Sequence, residues 1–269
     1  MKSKMNVNLM LLLASMLAMN SCTKVVNYDL VETPVKIVIE GRMIKDSMAL
    51  VRVTQTAPYL ENKPTPVVAN AFIIVSDNNG NKDTLDYYGN GYYKGSTLVA
   101  NTSDTYTLIV NFDGKQYTAS TSIPETVSFL ITGYNYADGV TTFQKKGYYP
   151  VIKATLPPES FFLFNYFKND SVYRPEPSEI DVTDSKFIGT QISGLEAPYP
   201  YQANDVAKIC IYRITNDGFK FYNDLGSQLT NDGGFFSTPP ANTSTNFSNG
   251  AIGIFMGASL YVQTVTITP

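Results

Sequence analysis

A cysteine that could carry lipid follows a short apolar run near the start of the chain. The run Leu9–Met19 is almost wholly apolar, and Lys2 and Lys4 precede it. It is too short to cross a bilayer core, which needs roughly 20 helical residues. A positive start, a short apolar middle and a small residue before the cut are typical of a secretory signal peptide. Because Ser21–Cys22 resembles a lipobox, the sequence predicts a signal peptide over residues 1–21 and lipidation of Cys22.

The alternative is an ordinary signal peptide with an incidental cysteine. If the lipobox is used, the mature chain begins at Cys22, and residues 22–33 form a tether that rises from the membrane. A single acyl chain anchors a protein only marginally, because each buried methylene contributes about 0.8 kcal/mol. Several chains on one cysteine, as bacterial lipoproteins carry, would hold the folded body at the membrane permanently.

Two clusters of oxygen-bearing side chains have the composition of calcium ligands. The first cluster comprises Asp77, Asn79, Asn81 and Asp83. An EF-hand loop needs glycine at its sixth position and glutamate at its twelfth. Here glycine is fourth and tyrosine is twelfth, so a hairpin turn is favoured. The second cluster comprises Glu176, Glu179, Asp181 and Asp184. A flexible calcium-binding loop and a solvated loop both fit it, and the solvated loop is favoured.

The residue types provide no catalytic constellation. The chain has no histidine, which excludes Ser-His-Asp and Cys-His catalysis and imidazole metal sites. Cys210 lies in the apolar run VAKICIYRI, so we expect a buried thiol without a neighbouring base. Paired carboxylates can hydrolyse glycosides, but no spacing separates an acid from a nucleophile. We therefore expect no catalytic residues, no metal site and no cofactor.

The composition favours β structure and argues against nucleic-acid binding. The formal net charge is −3, and removal of Lys2 and Lys4 with the signal peptide changes it to −5. A mildly acidic chain without a basic block is a poor match for nucleic acid. The chain holds 19 tyrosines and 15 phenylalanines but few helical patterns, which favours strands. Because tryptophan is absent, tyrosine or phenylalanine would have to supply any stacking surface for a sugar.

Period-two alternation predicts a β-sandwich domain over residues 34–125. Strands are indicated at VKIVIEG, ALVRVTQTA, AFIIVSD and GYYKG. The Asp113–Gly114 pair predicts a hairpin between Tyr106–Phe112 and Lys115–Ser122. The prolines of Pro58–Pro66 exclude a central strand there. Closely spaced strands without an intervening helix are typical of a small sandwich.

A second antiparallel β-rich domain with one short helix is predicted over residues 126–269, after the boundary at Glu125. Its strands are indicated at VSFLITGYNYA, YPVIKATLP, FFLFNYFKND, DVAKICIYRIT, AIGIFMGA and SLYVQTVTI. FFLFNYFKND is apolar on both faces, which favours a buried central strand over an aromatic ligand groove. The polar, proline-broken stretch 171–187 is predicted to be a loop. The glycines of 250–257 lack a phosphate-loop lysine and indicate close approach of another backbone.

Helical spacing occurs at one place in the mature chain. The residues concerned are Phe219, Tyr222, Leu225 and Leu229. They predict a helix that begins at an Asn216 or Asp217 cap and ends at Gly233–Gly234.

Several segments, taken in order, resemble one known family. They are Ser21–Cys22, VKIVIEG, VTQTAPY, ANAFIIVSDNNG, GNGYYKG, DTYTLIVNFDGKQYTASTSIP, DSKFIGT, KICIYRITNDGFKFYNDLGSQL and NFSNGAIGIFMGAS. Together they resemble the Bacteroidota outer-membrane lipoproteins of unknown function that are often encoded beside TonB-dependent receptors. The resemblance implies an N-terminal sandwich of the immunoglobulin or transthyretin-like kind, also described as carboxypeptidase-regulatory, and it supplies no catalytic residues.

The resemblance implies a non-enzymatic, lipid-anchored protein of the outer membrane that serves a TonB-dependent transporter or binds a ligand. Its expected partners are the membrane and such a receptor, without nucleic acid. Glycan or calcium binding through exposed tyrosines and the acidic loop is one alternative, and carboxylate-based hydrolysis is another. Lys24 stands where surface-exported members often carry an acidic run, so the periplasmic and cell-surface faces both stay open. The sequence does not identify the ligand.

Overall fold

The computed structural model describes residues 34–57, 64–140, 144–174, 179–231 and 242–268. The chain is mainly β, as predicted, and the described residues contain sixteen strands and two helices. The strands are β1 (Ile37–Ile44), β2 (Met48–Gln55), β3 (Phe72–Asp77), β4 (Lys82–Thr84), β5 (Asp86–Gly89), β6 (Tyr92–Val99), β7 (Thr105–Phe112), β8 (Lys115–Ser122), β9 (Phe129–Ala137), β10 (Gly147–Thr155), β11 (Phe161–Lys168), β12 (Ser171–Val172), β13 (Asp181–Asp184), β14 (Gln191–Glu196), β15 (Val206–Ile214) and β16 (Ile252–Thr266). The helices are α1 (Ser185–Ile188) and α2 (Asn216–Leu229).

A nine-stranded sheet forms the centre of the fold. Its path runs β12-β11-β15-β16-β1-β2-β6-β5, and β13 pairs with β11 on the same edge as β12. The long strand β16 pairs in parallel with β1 through its first half and antiparallel with β15 through its second half. Because of this double pairing, strands from the beginning and the end of the described chain share one sheet.

A four-stranded sheet of order β4-β3-β7-β8 covers part of one face of the central sheet. Ile73 and Leu108 of the smaller sheet pack with Ile39, Val51 and Phe255 of the central one. Side chains alternate along a strand, so these residues lie on the inward faces of both sheets. Residues 34–125 supply the whole smaller sheet and four strands of the central sheet, and β16 adds Phe255 to the core between them.

A three-stranded sheet of order β14-β10-β9 packs beside another part of the central sheet. Phe129 and Ile152 of the small sheet contact the cluster formed by Phe162, Phe164 and Ile209. The rings of Phe129 and Phe162 meet edge to face at 5.6 Å, a geometry that adds to the stabilisation from burial. This contact holds the three-stranded sheet against β11 of the central sheet.

Helix α2 packs on the opposite face of the central sheet. Phe221 joins Leu163, Ile214 and Met256 in one buried cluster, and Met256 faces away from its neighbour Phe255 because strand side chains alternate. The predicted helix is thus confirmed, but its start is corrected. Thr215 is the N-cap, and its hydroxyl accepts a hydrogen bond from the Gly218 N–H at 3.3 Å.

The helix ends earlier than the sequence predicted. Its last residue is Leu229, and Thr230 is the C-cap. The predicted stop at Gly233–Gly234 lies outside the described residues. The strand β11 is confirmed as central, because β15 pairs along one edge and β13 and β12 along the other.

Two other predictions about elements are wrong. The stretch predicted as a loop, 171–187, contains β12, β13 and most of α1. The segments AIGIFMGA and SLYVQTVTI form one strand, β16, rather than two. In both cases pairing with neighbours distant in sequence overrides the local signal: β11 provides the ladder for β13, while β1 and β15 hold β16 extended.

The predicted boundary at Glu125 stays a prediction, although the central sheet contains strands from both sides of it. Residues Val35–Pro269 cluster as one compact unit. In the part of the chain that the structure describes, no helix has the length and apolar character needed to cross a membrane.

Candidate functional site

A cleft opens where the β13 edge of the central sheet faces β14 and helix α2. It encloses about 560 Å³. We name it the β13 cleft, lined by Phe164, Tyr166, Asp181, Val182, Thr183, Asp184, Phe187, Ile188, Leu195, Glu196, Pro198, Phe219 and Asn223. A cavity of about 430 Å³ adjoins it and shares Phe164, Tyr166 and Asp181 with it. Clefts of this size that combine aromatic walls with a few polar groups are typical of small-ligand sites.

Asp181 lies on the wall of both cavities. Pairing of β13 with β11 places it opposite Phe164, and the Tyr166 hydroxyl donates a hydrogen bond to Asp181 Oδ2 at 2.5 Å. Burial raises the pKa of Asp181; the Tyr166 hydrogen bond opposes that rise, and the charge of Glu179 adds to it. Burial also raises the pKa of Tyr166 well above its ordinary value, so the phenol keeps its proton and remains a donor.

A second tyrosine–carboxylate pair lies beside the first, in the adjoining cavity. The Tyr199 hydroxyl donates to Glu179 Oε2 at 2.7 Å. Burial raises the pKa of Tyr199, and the hydrogen bond to Glu179 raises it further. The Tyr199 ring meets Tyr166 and Tyr173 edge to face, with centroids 5.4 and 5.5 Å away. Each carboxylate is therefore held by a fixed phenol in an aromatic wall.

Asp184 and Glu196 complete the acidic lining of the β13 cleft. Asp184 caps α1 by accepting a hydrogen bond from the Phe187 N–H at 2.7 Å. Glu196 accepts hydrogen bonds from the side-chain amides of Asn135 and Gln144. These donors are neutral, so they orient the carboxylates without cancelling their charge. The arrangement is rich in hydrogen-bond acceptors and apolar rings, which suits ligand binding.

Replacing Asp181 with asparagine should stabilise the protein at pH 7. The folded-state pKa of Asp181 is raised above the ordinary 3.8, so its stabilising contribution is complete below pH 3.8 and is lost as the pH rises through the raised value. Asparagine keeps an acceptor for Tyr166 without a buried charge. Thermal unfolding followed by circular dichroism should show a higher Tm for Asp181→Asn at pH 7 and a smaller difference near pH 4.

Asp184→Asn is the matched control for this variant, because asparagine caps a helix about as well as aspartate. Its Tm should equal that of the unmodified protein at both pH values. A lower Tm for Asp181→Asn at pH 7 would show that the ionised carboxylate stabilises this site.

The first predicted calcium cluster is a hairpin turn, as favoured. Asp77 Oδ1 accepts hydrogen bonds from the backbone N–H groups of Asn79 and Asn81, each at 2.9 Å. Asp83 does not face that turn. It is buried in the sandwich, where Oδ2 accepts hydrogen bonds from three backbone N–H groups of β6. The four side chains therefore do not converge.

The favoured interpretation of the second cluster as a solvated loop is wrong for Asp181 and Asp184, whereas Glu179 is exposed and lies outside the strands and helices. Asp181 is half-buried in β13, Glu179 is bonded to Tyr199, and Asp184 is a helix cap. Glu176 lies outside the described residues. Across the described parts of the chain, no three His, Cys, Asp or Glu side chains gather as a metal site would require.

The other residues named in the sequence analysis lie in several parts of the fold. Cys210 is buried and free, as predicted. The aromatic strand β11 is core, as favoured, although Phe164 and Tyr166 also line the cleft. Exposed tyrosines do occur, at Tyr87 and Tyr88 on β5, at Tyr92 on β6 and at Tyr136 on β9. Cys22 lies outside the described residues.

Sequence reasoning missed the contributions of Thr183, Glu196, Phe219 and Asn223. Each belongs to a different stretch from the aromatic run of β11, and only tertiary packing brings them to one cleft. Two local signals point to this site: the acidic spacing of 179–184, which favours a loop, and the aromatic run of β11, for which a ligand groove is the alternative to core.

Comparison with known proteins gives a family but no described activity. A family model described as a domain of unknown function (DUF4249) matches residues 23–264. No curated protein matches the chain.

Proposed function

The chain belongs to the DUF4249 family, and from that premise we propose a non-enzymatic binding protein that is anchored to the outer membrane through lipid on Cys22. In this proposal the folded body presents the β13 cleft to a ligand and serves a TonB-dependent transporter. The β13 cleft carries the proposal: it combines aromatic walls with carboxylates that neutral donors hold in place. A lipid anchor would raise the local concentration of the cleft beside a transporter, so a weak contact would be productive.

The geometry of the carboxylates supports binding over hydrolysis. A general acid or base must be able to exchange its proton with a substrate in the transition state. Asp181 and Glu179 each accept a hydrogen bond from a phenol whose pKa is raised, so each phenol stays protonated and orients its carboxylate as an acceptor. The whole sequence also lacks histidine, the commonest catalytic base. We therefore assign the acids a recognition role.

Replacing Cys22 with serine should abolish membrane attachment. Without the thiol no lipid can be joined, and the protein should move from the membrane fraction to the soluble fraction of the cell envelope. Metabolic labelling with an alkyne fatty acid, followed by cell fractionation, measures both effects. Cys210→Ser is the matched control, because it removes the other cysteine and should leave labelling intact. Labelling that survives in Cys22→Ser would contradict the anchor.

Association with a transporter is tested by affinity purification from detergent-solubilised outer membrane. We expect a TonB-dependent receptor to copurify with the full-length lipidated protein. Recovery of the protein without any receptor, under mild detergent and after chemical crosslinking, would argue against the accessory role. That outcome would leave ligand binding by the cleft open to its own measurement.

A further inference from the structure

Carboxylates line the β13 cleft, whereas an arginine, Arg174, lines the adjoining cavity and donates a hydrogen bond to the backbone oxygen of Glu179. Asp181, Asp184 and Glu196 line the cleft, and the donors that reach them from the described residues are neutral: the Tyr166 hydroxyl, the Phe187 N–H, and the amides of Asn135 and Gln144. Of the described residues that line this cleft, none is lysine or arginine. None of the three carboxylates forms an ion pair within the described parts of the chain. Partly buried charges usually have such a partner.

An unpartnered hydroxyl lies on the same wall. Thr183 Oγ1 is buried and has no hydrogen-bond partner. Thr183 and Asp181 are two residues apart on β13, so their side chains project from the same face of the strand. Buried hydroxyls almost always find a partner. Thr183 lines the cleft, so this hydroxyl belongs to the wall that a bound group would contact.

The other walls are apolar and aromatic. Phe164 and Tyr166 come from β11, Leu195 from β14, and Phe219 from α2. Such walls exclude water from around a bound group, which strengthens its attraction to a carboxylate. Aromatic faces also attract cations, because the ring quadrupole is negative above and below the plane.

We propose that the β13 cleft binds an organic cation, a guanidinium or alkylammonium group carried on an apolar body. This inference rests on the binding role proposed for the cleft and is independent of the lipid anchor and the transporter. Both groups are donors only, so they complement the three carboxylates of the lining, and their hydrogen bonds to carboxylates are charge-assisted. The apolar body would pack against the aromatic walls.

The electrostatics of Asp181 agree with this assignment. Its pKa is raised by burial, and the charge of Glu179 raises it further. The cleft therefore carries a carboxylate whose ionised form the fold disfavours, a cost that proteins often accept at functional sites. A bound cation would offset that cost by favouring the ionised form of the acid.

A pair of isosteric probes tests the proposal. Acetyl-Phe-Arg-amide carries a guanidinium, and acetyl-Phe-citrulline-amide replaces it with a neutral urea of nearly the same shape. We expect isothermal titration of the purified full-length protein at pH 7 to give roughly tenfold tighter binding, or more, for the arginine probe. Equal affinities, or no binding of either probe, would overturn the proposal.

Variants locate the site of binding. The double variant Asp181→Asn with Glu196→Gln should reduce the preference for arginine over citrulline to less than about twofold, since the charge-assisted hydrogen bonds are lost. Asp113→Asn, in the β7–β8 turn, should keep the full preference. Circular dichroism verifies that both variants are folded. A preference that survives in the double variant would place the cation elsewhere and overturn the assignment to this cleft. A negative result in the probe comparison or in the variant comparison would leave the Cys22 labelling and copurification results unaffected.

Discussion

Replacing Gly253 with alanine should lower the free energy of unfolding by about 4 kcal/mol or more, the range reached only by severe backbone or core disruption. A Cβ atom at this position would lie 2.0 Å from the backbone oxygen of Ile39, whereas real Cβ contacts are essentially never shorter than 3.0 Å. Gly253 also has φ +113°, which side chains rarely adopt. The new methyl group would have to separate β16 from β1, the parallel pair at the centre of the largest sheet.

Urea denaturation followed by circular dichroism measures this change. Gly194→Ala is the matched control, because it substitutes a strand glycine where nothing lies within 4 Å of the new methyl group. Its free energy of unfolding should stay within about 0.5 kcal/mol of the unmodified protein. If Gly253→Ala instead unfolded at the same urea concentration as the unmodified protein, the close pairing of β16 with β1 would be refuted.

Replacing Asp83 with alanine should cost about 3 kcal/mol of stability or more, because it leaves three backbone donors without an acceptor. Asp83 Oδ2 accepts hydrogen bonds from the N–H groups of Ser96, Thr97 and Leu98 at 2.8, 2.9 and 3.0 Å. The residue is 3% exposed. Gly95 makes this approach possible, since a Cβ there would lie 2.7 Å from the same carboxylate oxygen.

The charge of Asp83 makes the stability of the protein depend on pH. Burial opposes ionisation, but the N–H groups of Thr97, Leu98 and Ser96 outweigh it and lower the pKa of Asp83 below the ordinary 3.8. A depressed folded-state pKa gives a contribution that is present above pH 3.8 and is lost as the pH falls through the lower value. Asp83→Asn, which keeps an acceptor oxygen but no charge, should therefore be less damaging than Asp83→Ala.

Urea denaturation at pH 7 and pH 3 distinguishes these effects. Asp86→Ala is the matched control, because Asp86 is an exposed aspartate on the adjacent strand β5. It should change the free energy of unfolding by less than about 0.5 kcal/mol. An Asp83→Ala variant as stable as the control would mean that water or another group satisfies the three donors.

The local sequence was sufficient for much of the architecture. Alternation predicted β1, β2, β3 and the β7–β8 hairpin, because an antiparallel strand with one buried face must alternate. Helical spacing predicted α2, and apolar neighbours predicted the buried thiol of Cys210. Each of these features depends on residues close together in the chain, which is why one sequence revealed them.

The site depended on distant residues and was not predicted. Tyr166, Asp181, Glu196 and Phe219 come from four elements, and only the packing of β13, β14 and α2 brings them to one cleft. The strand β13 itself was missed, because its polar sequence has no strand pattern and β11 supplies its pairing.

The sequence by itself determined the mainly β composition, the helix and the apolar run before Cys22. Only the tertiary structure decided whether the pKa of an individual carboxyl group is raised or lowered. Asp83 and Asp181 both appeared as members of polar clusters, yet the pKa of one is lowered and that of the other is raised. The physical reason is that a carboxylate responds to the donors, charges and solvent around it, and folding brings those neighbours from positions that spacing along the chain does not specify.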